Sequence, residues 1–391
     1  MDLRDFYNRF SLDESLAKVT DFNPYYQRID SGLDRKIRVN GHEMIDLASN
    51  NYLGLATDGR VKQAAMEAVQ KYGVSLCGTP IATGYLDLYQ RLEKKLSCFV
   101  GLEETIILPS CYQANNGLFS CIAGPQDLIV VDRLAHSSLI QGIKSVGCKI
   151  RPFLHNNLEH LGGILRRSTG YRQVFVVTES VFSTEGSIAP FQEIMQLCET
   201  YNALPVIDDS HGLGVLGKSG RGILEEQGIE GYLGIYTASL GKALANSGGM
   251  ISGKKGLIDY LKYYCPHLVY STALTPAVLA GIETVLEIIQ SEFGVIKGRL
   301  VTHQQEIYDS LIEGGFTVVP GEAPINSIQS GSKEATLFLA KKLYDKGILS
   351  TPFIEPSVPV DEGRVRLIAG ANLTQETVTE ATEIIQRLGR L

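Results

Sequence analysis

The feature that most constrains the fold of this chain is a regular alternation of short apolar runs with segments of helical spacing. The apolar runs are nearly continuous, as expected for strands that helices cover on both faces: "ETIILPS", "DLIVVD", "KIRPFLH", "QVFVVTES", "LPVIDD", "GIYTASL" and "GMISG". Helical spacing occurs in "VKQAAMEAVQKYG", "LDLYQRLEKKLSCFVG" and "FQEIMQLCETYN", and the first two end at a glycine that can stop a helix. This alternation predicts an α/β fold with an open, mostly parallel sheet.

The same patterns predict three parts along the chain. Residues 1–45 form a charged, turn-rich N-terminal arm, and residues 46–294 form the large α/β domain. A long helix predicted in "TALTPAVLAGIETVLEIIQSEF" lies at the end of this domain. Residues 295–391 then combine a helix in "ATLFLAKKLYDKG" with short strands in "FTVVP" and "GRVRLIAG", which indicates a small α+β C-terminal domain.

Composition and charge exclude several classes of protein. The 391 residues are 44% hydrophobic and 20% charged, and the net charge of −7 lacks the positive surplus of a nucleic-acid-binding protein. Seven cysteines without a C-x-x-C pair are typical of reduced thiols in a cytoplasmic protein. The N-terminus lacks the apolar core of a secretory signal, and no apolar run reaches the roughly 18 residues of a membrane span. We therefore expect a cytoplasmic protein with no membrane span, no nucleic-acid partner and no metal site.

A glycine-rich stretch at residues 206–222, "VIDDSHGLGVLGKSGRG", matches two nucleotide-binding motifs with the same residues. G-x-x-x-x-G-K-S from Gly212 to Ser219 has the spacing of a phosphate loop, and G-x-G-x-x-G from Gly212 to Gly217 has that of a dinucleotide fingerprint. A phosphate loop needs a helix directly after it, but "GRG" follows. The fingerprint needs an acidic residue at the end of the next strand, which "GIYTASL" lacks. Both matches are therefore interpreted as coincidences of a flexible turn.

Polar residues at strand ends define a candidate site, because ligands of open α/β sheets bind at the carboxyl ends of the strands. Asp208, Asp209 and His211 lie at and after the end of "LPVIDD", where an aspartate can also simply cap a turn. Lys242 lies just past "GIYTASL", among small residues, with no other charged residue between positions 232 and 253. A lysine in such surroundings can lose proton affinity and act as an amine nucleophile.

Asp208 and Lys242 follow consecutive predicted strands and can therefore meet at one ligand. A Schiff-base lysine together with an aspartate at a pyridine nitrogen is the arrangement by which proteins hold pyridoxal 5′-phosphate (PLP). The two residues thus predict a PLP site at this edge of the sheet.

Further polar residues follow other predicted strands. His136 lies beyond "DLIVVD"; a single histidine is more often a core or surface residue, but its place at a strand end favours stacking on a ring. The amides at the helix start after "TIILPS" can bind a phosphate dianion. These residues join the candidate site: Ser110, Cys111, Tyr112, His136, Glu179 and Ser183.

Taken together, these motifs resemble those of the α-oxoamine synthases, which are PLP-dependent acyltransferases of fold type I. The resemblance spans nearly the whole chain, in "SNNYLGLA", "SCYQANNGLF", "DRLAHSSLIQG", "ESVFSTEGSIAP", "VIDDSHGLGVLGKSGRG", "TASLGKAL", "YSTALTP" and "PSVPVDEGRVRL". It implies a large PLP-binding domain with a small C-terminal domain. It also implies condensation of a small amino acid with an acyl-CoA thioester, releasing CoA and usually CO2 to give an α-amino ketone.

The resemblance implies roles for the residues around the cofactor ring. Lys242 would hold PLP as a Schiff base and, once free, remove the α-proton of the amino acid. Asp208 would pair with the pyridine nitrogen, and His136 would stack on the ring. His211 would bind the phenolic oxygen of the ring together with Ser183.

Contacts to the phosphate and the substrates are implied at a further set of positions. Ser110, Cys111, Tyr112 and Ser239 would bind the phosphate, while Ser271 and Thr272 would reach it from the other subunit of a homodimer with shared active sites. Arg366 would bind the amino-acid carboxylate, where a bidentate fork suits the geometry. The remaining implied contacts are Glu179 to the cofactor and Asn51 and Arg28 to the substrate.

Three positions depart from the pattern of the family and concern substrate choice. Pro80 stands where relatives often have arginine, Asn372 stands near a common histidine, and Arg28 is a poor match to a substrate-binding arginine. The amino acid (glycine, alanine or serine) and the acyl chain stay open. Alternatives are a glycine acetyltransferase of the 2-amino-3-ketobutyrate CoA ligase type, a PLP aminotransferase and a nucleotide-binding module. An inactive scaffold subunit is disfavoured because Lys242 is present.

Overall fold

The strands of the structure, a computed structural model that describes residues 3–10 and 22–390, form one large and two small sheets. They are β1 (Lys36–Val39), β2 (His42–Asp46), β3 (Glu104–Leu108), β4 (Leu128–Asp132), β5 (Lys149–Phe153), β6 (Val174–Glu179), β7 (Leu204–Asp208), β8 (Ile235–Ser239), β9 (Gly249–Gly253), β10 (Asn326–Gly331), β11 (Ile348–Leu349), β12 (Thr351–Phe353) and β13 (Gly363–Leu367).

Helices alternate with most of these strands, and a π-helical turn spans Pro80–Gly84. Two predicted glycine stops are confirmed: Gly73 and Gly101 end their helices with φ of +82° and +74°. The helices are α1 (Leu3–Tyr7), α2 (Gly59–Tyr72), α3 (Asp87–Val100), α4 (Cys111–Ile122), α5 (Ser137–Lys144), α6 (Leu158–Arg166), α7 (Phe191–Thr200), α8 (Ile223–Glu226), α9 (Lys255–Tyr264), α10 (Pro266–Val269), α11 (Pro276–Glu313), α12 (Lys333–Asp345) and α13 (Gln375–Gly389).

The large sheet has seven strands in the order β3-β9-β8-β7-β6-β4-β5. β5, β4, β6, β7 and β8 pair in parallel, whereas β9 runs antiparallel to both of its neighbours, β8 and β3. The predicted α/β class with a mostly parallel sheet is therefore confirmed. This topology places the carboxyl ends of β4, β6, β7 and β8 at one edge.

Both faces of the large sheet are packed against helices. All five residues of β4 are buried, and they alternate between two core clusters: Ile129 and Val131 in one, Leu128 and Val130 in the other. Burying such a side chain contributes roughly 1.5–3 kcal/mol. The continuous apolar run of this strand follows from its burial on both faces.

The two small sheets are β1-β2-β11 and β10-β13-β12. The strand predicted in "FTVVP" is wrong, because only Val318 forms a bridge, to Ile328, and Pro320 cannot donate a ladder hydrogen bond. α11 begins at Pro276 and, at 38 residues, is longer than predicted. This helix packs on both α2 and α13. Because it spans Pro276–Glu313, the predicted domain division between residues 294 and 295 lies inside one helix, and that division stays a prediction.

Among residues 3–10 and 22–390, no helix has the length and apolarity needed to cross a membrane.

Candidate active site

A cavity of about 340 Å³ opens at the edge where β4, β6, β7 and β8 end. The sheet explains its position, because side chains that follow neighbouring parallel strands meet at one edge. Most of the predicted ring and phosphate contacts line it: Ser110, Cys111, Tyr112, His136, Glu179, Asp208, Ser239 and Lys242. The structure therefore brings together residues that are up to 132 positions apart in the sequence, from 110 to 242.

Lys242 lies three residues beyond β8, in a tight turn at the cavity wall. The hydroxyl of Ser239 accepts a hydrogen bond from the Gly241 amide at 3.1 Å, and the Lys242 carbonyl accepts one from the Ala245 amide at 2.8 Å. Burial lowers the pKa of the Lys242 amine, while the nearby Asp208 carboxylate acts in the opposite direction. The site thus makes the neutral amine easier to form than in water.

Asp208 ends β7 and is held by donors on both carboxylate oxygens. Its Oδ1 accepts a hydrogen bond from the Ser210 amide at 3.0 Å, and its Oδ2 accepts one from Nδ2 of Asn115 at 2.7 Å. The Asn115 side chain is itself fixed, because its Oδ1 accepts a hydrogen bond from the Thr237 hydroxyl at 2.8 Å. The carboxylate is therefore rigidly placed at the cavity.

His136 and Glu179 form the next part of the wall. The His136 amide donates to Oε1 of Glu179 at 2.6 Å, which joins the end of β6 to the segment after β4. Burial raises the pKa of the Glu179 carboxyl well above its usual range, and its neighbour Asp208 adds to this shift. Desolvation lowers the pKa of His136, while the nearby Asp208 carboxylate acts in the opposite direction.

The start of α4 borders the cavity on the β3 side. Ser110 caps the helix, its hydroxyl accepting a hydrogen bond from the Gln113 amide at 3.1 Å. The first amides of a helix have no partner within the helix, and Cys111 and Tyr112 lie at this point of the cavity wall. A Cβ atom at Gly249 would collide with the Cys111 backbone, so the glycine lets β9 approach the helix start closely.

A second group of predicted residues lies buried beside the cavity. His211 Nδ1 is 2.7 Å from the hydroxyl of Tyr52, and burial together with the charges of Lys242 and Arg366 lowers the pKa of His211. Arg366, on β13, donates from Nη1 to the backbone carbonyl of Ser183 at 3.1 Å. The predicted Ser183 thus contacts Arg366 through its main chain.

The remaining predicted residues lie elsewhere. The Ser271 hydroxyl accepts a hydrogen bond from Nε2 of Gln113 at 3.0 Å in its own chain, with Thr272 directly after it. Asn51 is buried in a turn in which its carbonyl accepts a hydrogen bond from the Gly54 amide. Arg28 is exposed and paired with Asp30 at 2.7 Å, so it is not brought to the cavity.

The glycine-rich turn at residues 206–222 is occupied by carboxylates of its own chain. The amides of Ser219 and Arg221 both donate to Glu225, and the Gly217 amide donates to Glu226 at 2.6 Å. The helix that follows, α8, has only four residues. Because acidic side chains already take the amides that a phosphate would need, this geometry favours the interpretation of both nucleotide motifs as coincidences.

A larger groove, of about 480 Å³, lies at the opposite edge of the sheet, near Arg172, Leu233 and Lys254. It contains none of the predicted site residues. Its two positively charged side chains are both paired, Arg172 with Asp127 and Lys254 with Glu103. Within the described ranges, no group of three or more His, Cys, Asp or Glu residues could hold a metal ion. Chemistry is therefore assigned to the smaller cavity.

Sequence reasoning missed several residues of this site: Tyr52, Asn115, Ser138, Ser210 and Thr237. Asn115 gives a usable signal, since it is a polar residue at the helical spacing of the buried Ala114, Leu118 and Phe119 on α4. Tyr52 gives no such signal, because its contact with His211 joins positions 159 residues apart.

Comparisons with known proteins agree in family and fold. A family model described as "Aminotransferase class I and II" matches residues 42–385. The 8-amino-7-oxononanoate synthase of Bacillus pumilus (strain SAFR-032) is 34% identical over 360 residues, which cover 92% of each chain. The serine palmitoyltransferase of Sphingobacterium spiritivorum is 32% identical over 381 residues, covering 97% of this chain and 95% of that protein.

The fold is also found among solved structures. The serine palmitoyltransferase of Sphingomonas wittichii superimposes with a TM-score of 0.92 at 26% identity, covering 100% of this chain and 97% of that one. The similarity therefore extends over both the large sheet and the C-terminal elements.

Proposed function

Since the chain belongs to the class I and II aminotransferase family and, within it, to the α-oxoamine synthases, we propose that it condenses a small amino acid with an acyl-CoA thioester. The enzyme class and the cofactor expected from the sequence, a PLP-dependent acyltransferase, are confirmed. The observation that carries the proposal is the meeting of Lys242, Asp208 and His136 in one cavity, with Arg366 buried beside it.

The residues at the cavity fit PLP. A partly desolvated lysine, a fixed carboxylate and a helix start with open amides match the aldehyde, the pyridine nitrogen and the phosphate of the cofactor. We assign these contacts to Lys242, to Asp208 and to the amides at Cys111 and Tyr112, with the hydroxyl of Ser239 near the phosphate. When bound, PLP supplies an electron sink that stabilises a carbanion at the α-carbon of the amino acid.

Proton transfer is assigned to Lys242. Its pKa is lowered by burial, so the neutral amine that removes an α-proton forms at a lower pH than for a lysine in water. With PLP bound, the α-carbon of the amino acid would be acylated by the thioester as free CoA leaves, and loss of CO2 with reprotonation would then give an α-amino ketone. The lowered pKa of His211 keeps its imidazole neutral, and the hydrogen bond between Nδ1 and the Tyr52 hydroxyl fixes the orientation of the ring.

Arg366 is the proposed site for the amino-acid carboxylate. It is buried, Nη1 is taken by the Ser183 carbonyl, and Nε has no hydrogen-bond partner among the described residues. Its guanidinium carbon lies 5.0 Å from the ring centre of Phe353, a cation–π contact that adds to the hold on the group. A buried guanidinium with a free edge calls for an anion, and a carboxylate matches that edge in a bidentate pair.

The proposal is tested with a grid of glycine, L-alanine and L-serine against acyl-CoA thioesters from acetyl to palmitoyl, with free thiol as the readout. We expect CoA release that needs both substrates and is lost in Lys242→Ala. Release with glycine and acetyl-CoA alone would identify the 2-amino-3-ketobutyrate ligase type of reaction. Formation of keto acid from the amino acid, without any CoA release, would overturn the proposal in favour of an aminotransferase.

A homodimer with shared active sites and a cytoplasmic location are proposed on the resemblance. Exposed aromatic residues in the segment before Ser271 support the dimer: Tyr263, Tyr264 and Tyr270 are 68%, 64% and 83% exposed. Exposed apolar groups of this kind often mark protein interfaces. Sedimentation of the full chain should give twice the mass of one chain, and a monomer at micromolar concentration would contradict this part of the proposal.

A further inference from the structure

A buried amide on α4 connects two residues that the proposed function assigns to PLP. Asn115 is fully buried, and its Nδ2 donates both to Oδ2 of Asp208 at 2.7 Å and to the hydroxyl of Ser138 at 2.9 Å. The Ser138 hydroxyl in turn lies 2.8 Å from Nδ1 of His136. One side chain therefore contacts the carboxylate directly and the imidazole through a single hydroxyl.

The direction of each hydrogen bond in this network can be assigned. A carboxylate only accepts, so the amide nitrogen of Asn115 must face Asp208, and its oxygen then accepts from Thr237. Nδ1 of His136 accepts a hydrogen bond from the Ser138 amide at 3.2 Å, so in the neutral ring the proton lies on Nε2. The Ser138 hydroxyl consequently donates to His136 and accepts from Asn115.

We propose that Asn115 is a positioning residue that fixes the Asp208 carboxylate and the His136 ring for the cofactor. The inference rests on the proposed function, in which Asp208 meets the pyridine nitrogen and His136 stacks on the ring. Asn115 does not touch the cavity itself and is not among the residues that line it. It acts through the two residues that do.

An amide is the side chain that satisfies all three neighbours. Aspartate at position 115 would place two acceptor-only groups against each other, and leucine would leave Asp208, Ser138 and Thr237 each without one partner. The Asp208 carboxylate sets the orientation of the amide, and the Thr237 hydroxyl holds it by donating to the oxygen end. Loss of this hydroxyl should therefore weaken the same function to a smaller extent.

The test compares two ligands that differ only at the ring nitrogen. Dissociation constants are measured on the full-length protein, freed of cofactor, for PLP and for its deaza analogue, in which C–H replaces the nitrogen. Wild-type protein should prefer PLP. Because a hydrogen bond to a charged group is involved, Asn115→Leu should reduce this preference at least about tenfold.

Matched variants separate positioning from general damage to the fold. Asn116→Ala removes the neighbouring amide, which donates to the carbonyls of Tyr112 and Ser138 and does not contact Asp208. It should keep the preference within about twofold of wild type. Thr237→Val should reduce the preference and Thr237→Ser should restore it, so this pair tests the proposal even if Asn115→Leu does not fold.

The outcomes distinguish this inference from the proposed function. If wild-type protein prefers PLP and both Asn115→Leu and Thr237→Val keep that preference, Asn115 is not a positioning residue, and the inference alone is overturned. If wild-type protein binds the two ligands equally, Asp208 does not meet the ring nitrogen, and the inference fails together with that contact, whereas the condensation itself is judged separately by CoA release. A preference lost in Asn115→Leu and kept in Asn116→Ala supports the inference.

Discussion

Replacing Arg366 by lysine keeps a positive charge on β13 and removes the planar fork. In the structure Nη1 donates to the Ser183 carbonyl at 3.1 Å, while buried Nε has no partner. A lysine has one nitrogen, which can reach the carbonyl or a carboxylate but cannot present two parallel donors to the latter. Arg366→Lys therefore removes one charge-assisted hydrogen bond from the proposed amino-acid site.

The expected loss of binding free energy for the amino acid follows from this single hydrogen bond. A hydrogen bond to a charged group contributes about 1.5–3 kcal/mol, which corresponds to about 10- to 150-fold weaker binding. Since the bond forms with the amino acid and not with the thioester, KM for the amino acid should rise by this factor while KM for acyl-CoA stays constant.

The assay is steady-state CoA release, with each substrate varied in turn. Arg364→Lys is the matched control, because Arg364 lies two residues away on the same strand and pairs with Glu185 at 3.3 Å, a contact that lysine can keep. The control should change either KM by less than about threefold. An unchanged amino-acid KM in Arg366→Lys, or an equal rise in the acyl-CoA KM, would refute the assignment of the carboxylate site.

Three further predictions concern neighbouring residues. Burial raises the pKa of Asp209 to about 7, so this carboxyl should contribute about 4 kcal/mol of stability that is lost as pH rises from about 4 to about 7. In urea unfolding, Asp209→Asn should therefore lose less stability than the wild type over this pH range; equal pH slopes would contradict it. Tyr52→Phe frees His211 Nδ1 and should lower kcat/KM by up to about tenfold in the CoA-release assay, whereas an unchanged value would show that the bond is not needed. Lys218→Ala should leave PLP binding unchanged by absorbance titration, because the turn is held by Glu225; weaker binding would revive a phosphate role there.

Strand ends were predictable from the sequence because burial on both faces makes β4, β6 and β7 nearly continuous apolar runs. In a parallel sheet such strands end at the same edge, so Asp208 and Lys242 could be assigned to one site without coordinates. The strand expected in "FTVVP" was wrong because its pairing with β10 is limited to a bridge between Val318 and Ile328 and the adjoining backbone hydrogen bonds, and Pro320 cannot extend the ladder.

Contacts made by side chains across elements could not be predicted in the same way. Asn115 reaches Asp208 from α4, 93 positions away, and no local pattern encodes that distance. The exposed Arg28 pairs with Asp30, a contact that the sequence pattern did not predict. Family resemblance supplied roles for residues, whereas their hydrogen-bond partners required the packed structure.

The central claim is that the amine of Lys242 holds PLP covalently beside the Asp208 carboxylate. Borohydride reduction of the purified protein with PLP, followed by peptide mass spectrometry, tests it most directly. We predict a reduced pyridoxyl group on Lys242 alone and none in Lys242→Ala. Labelling of another lysine, or of none, would contradict the account.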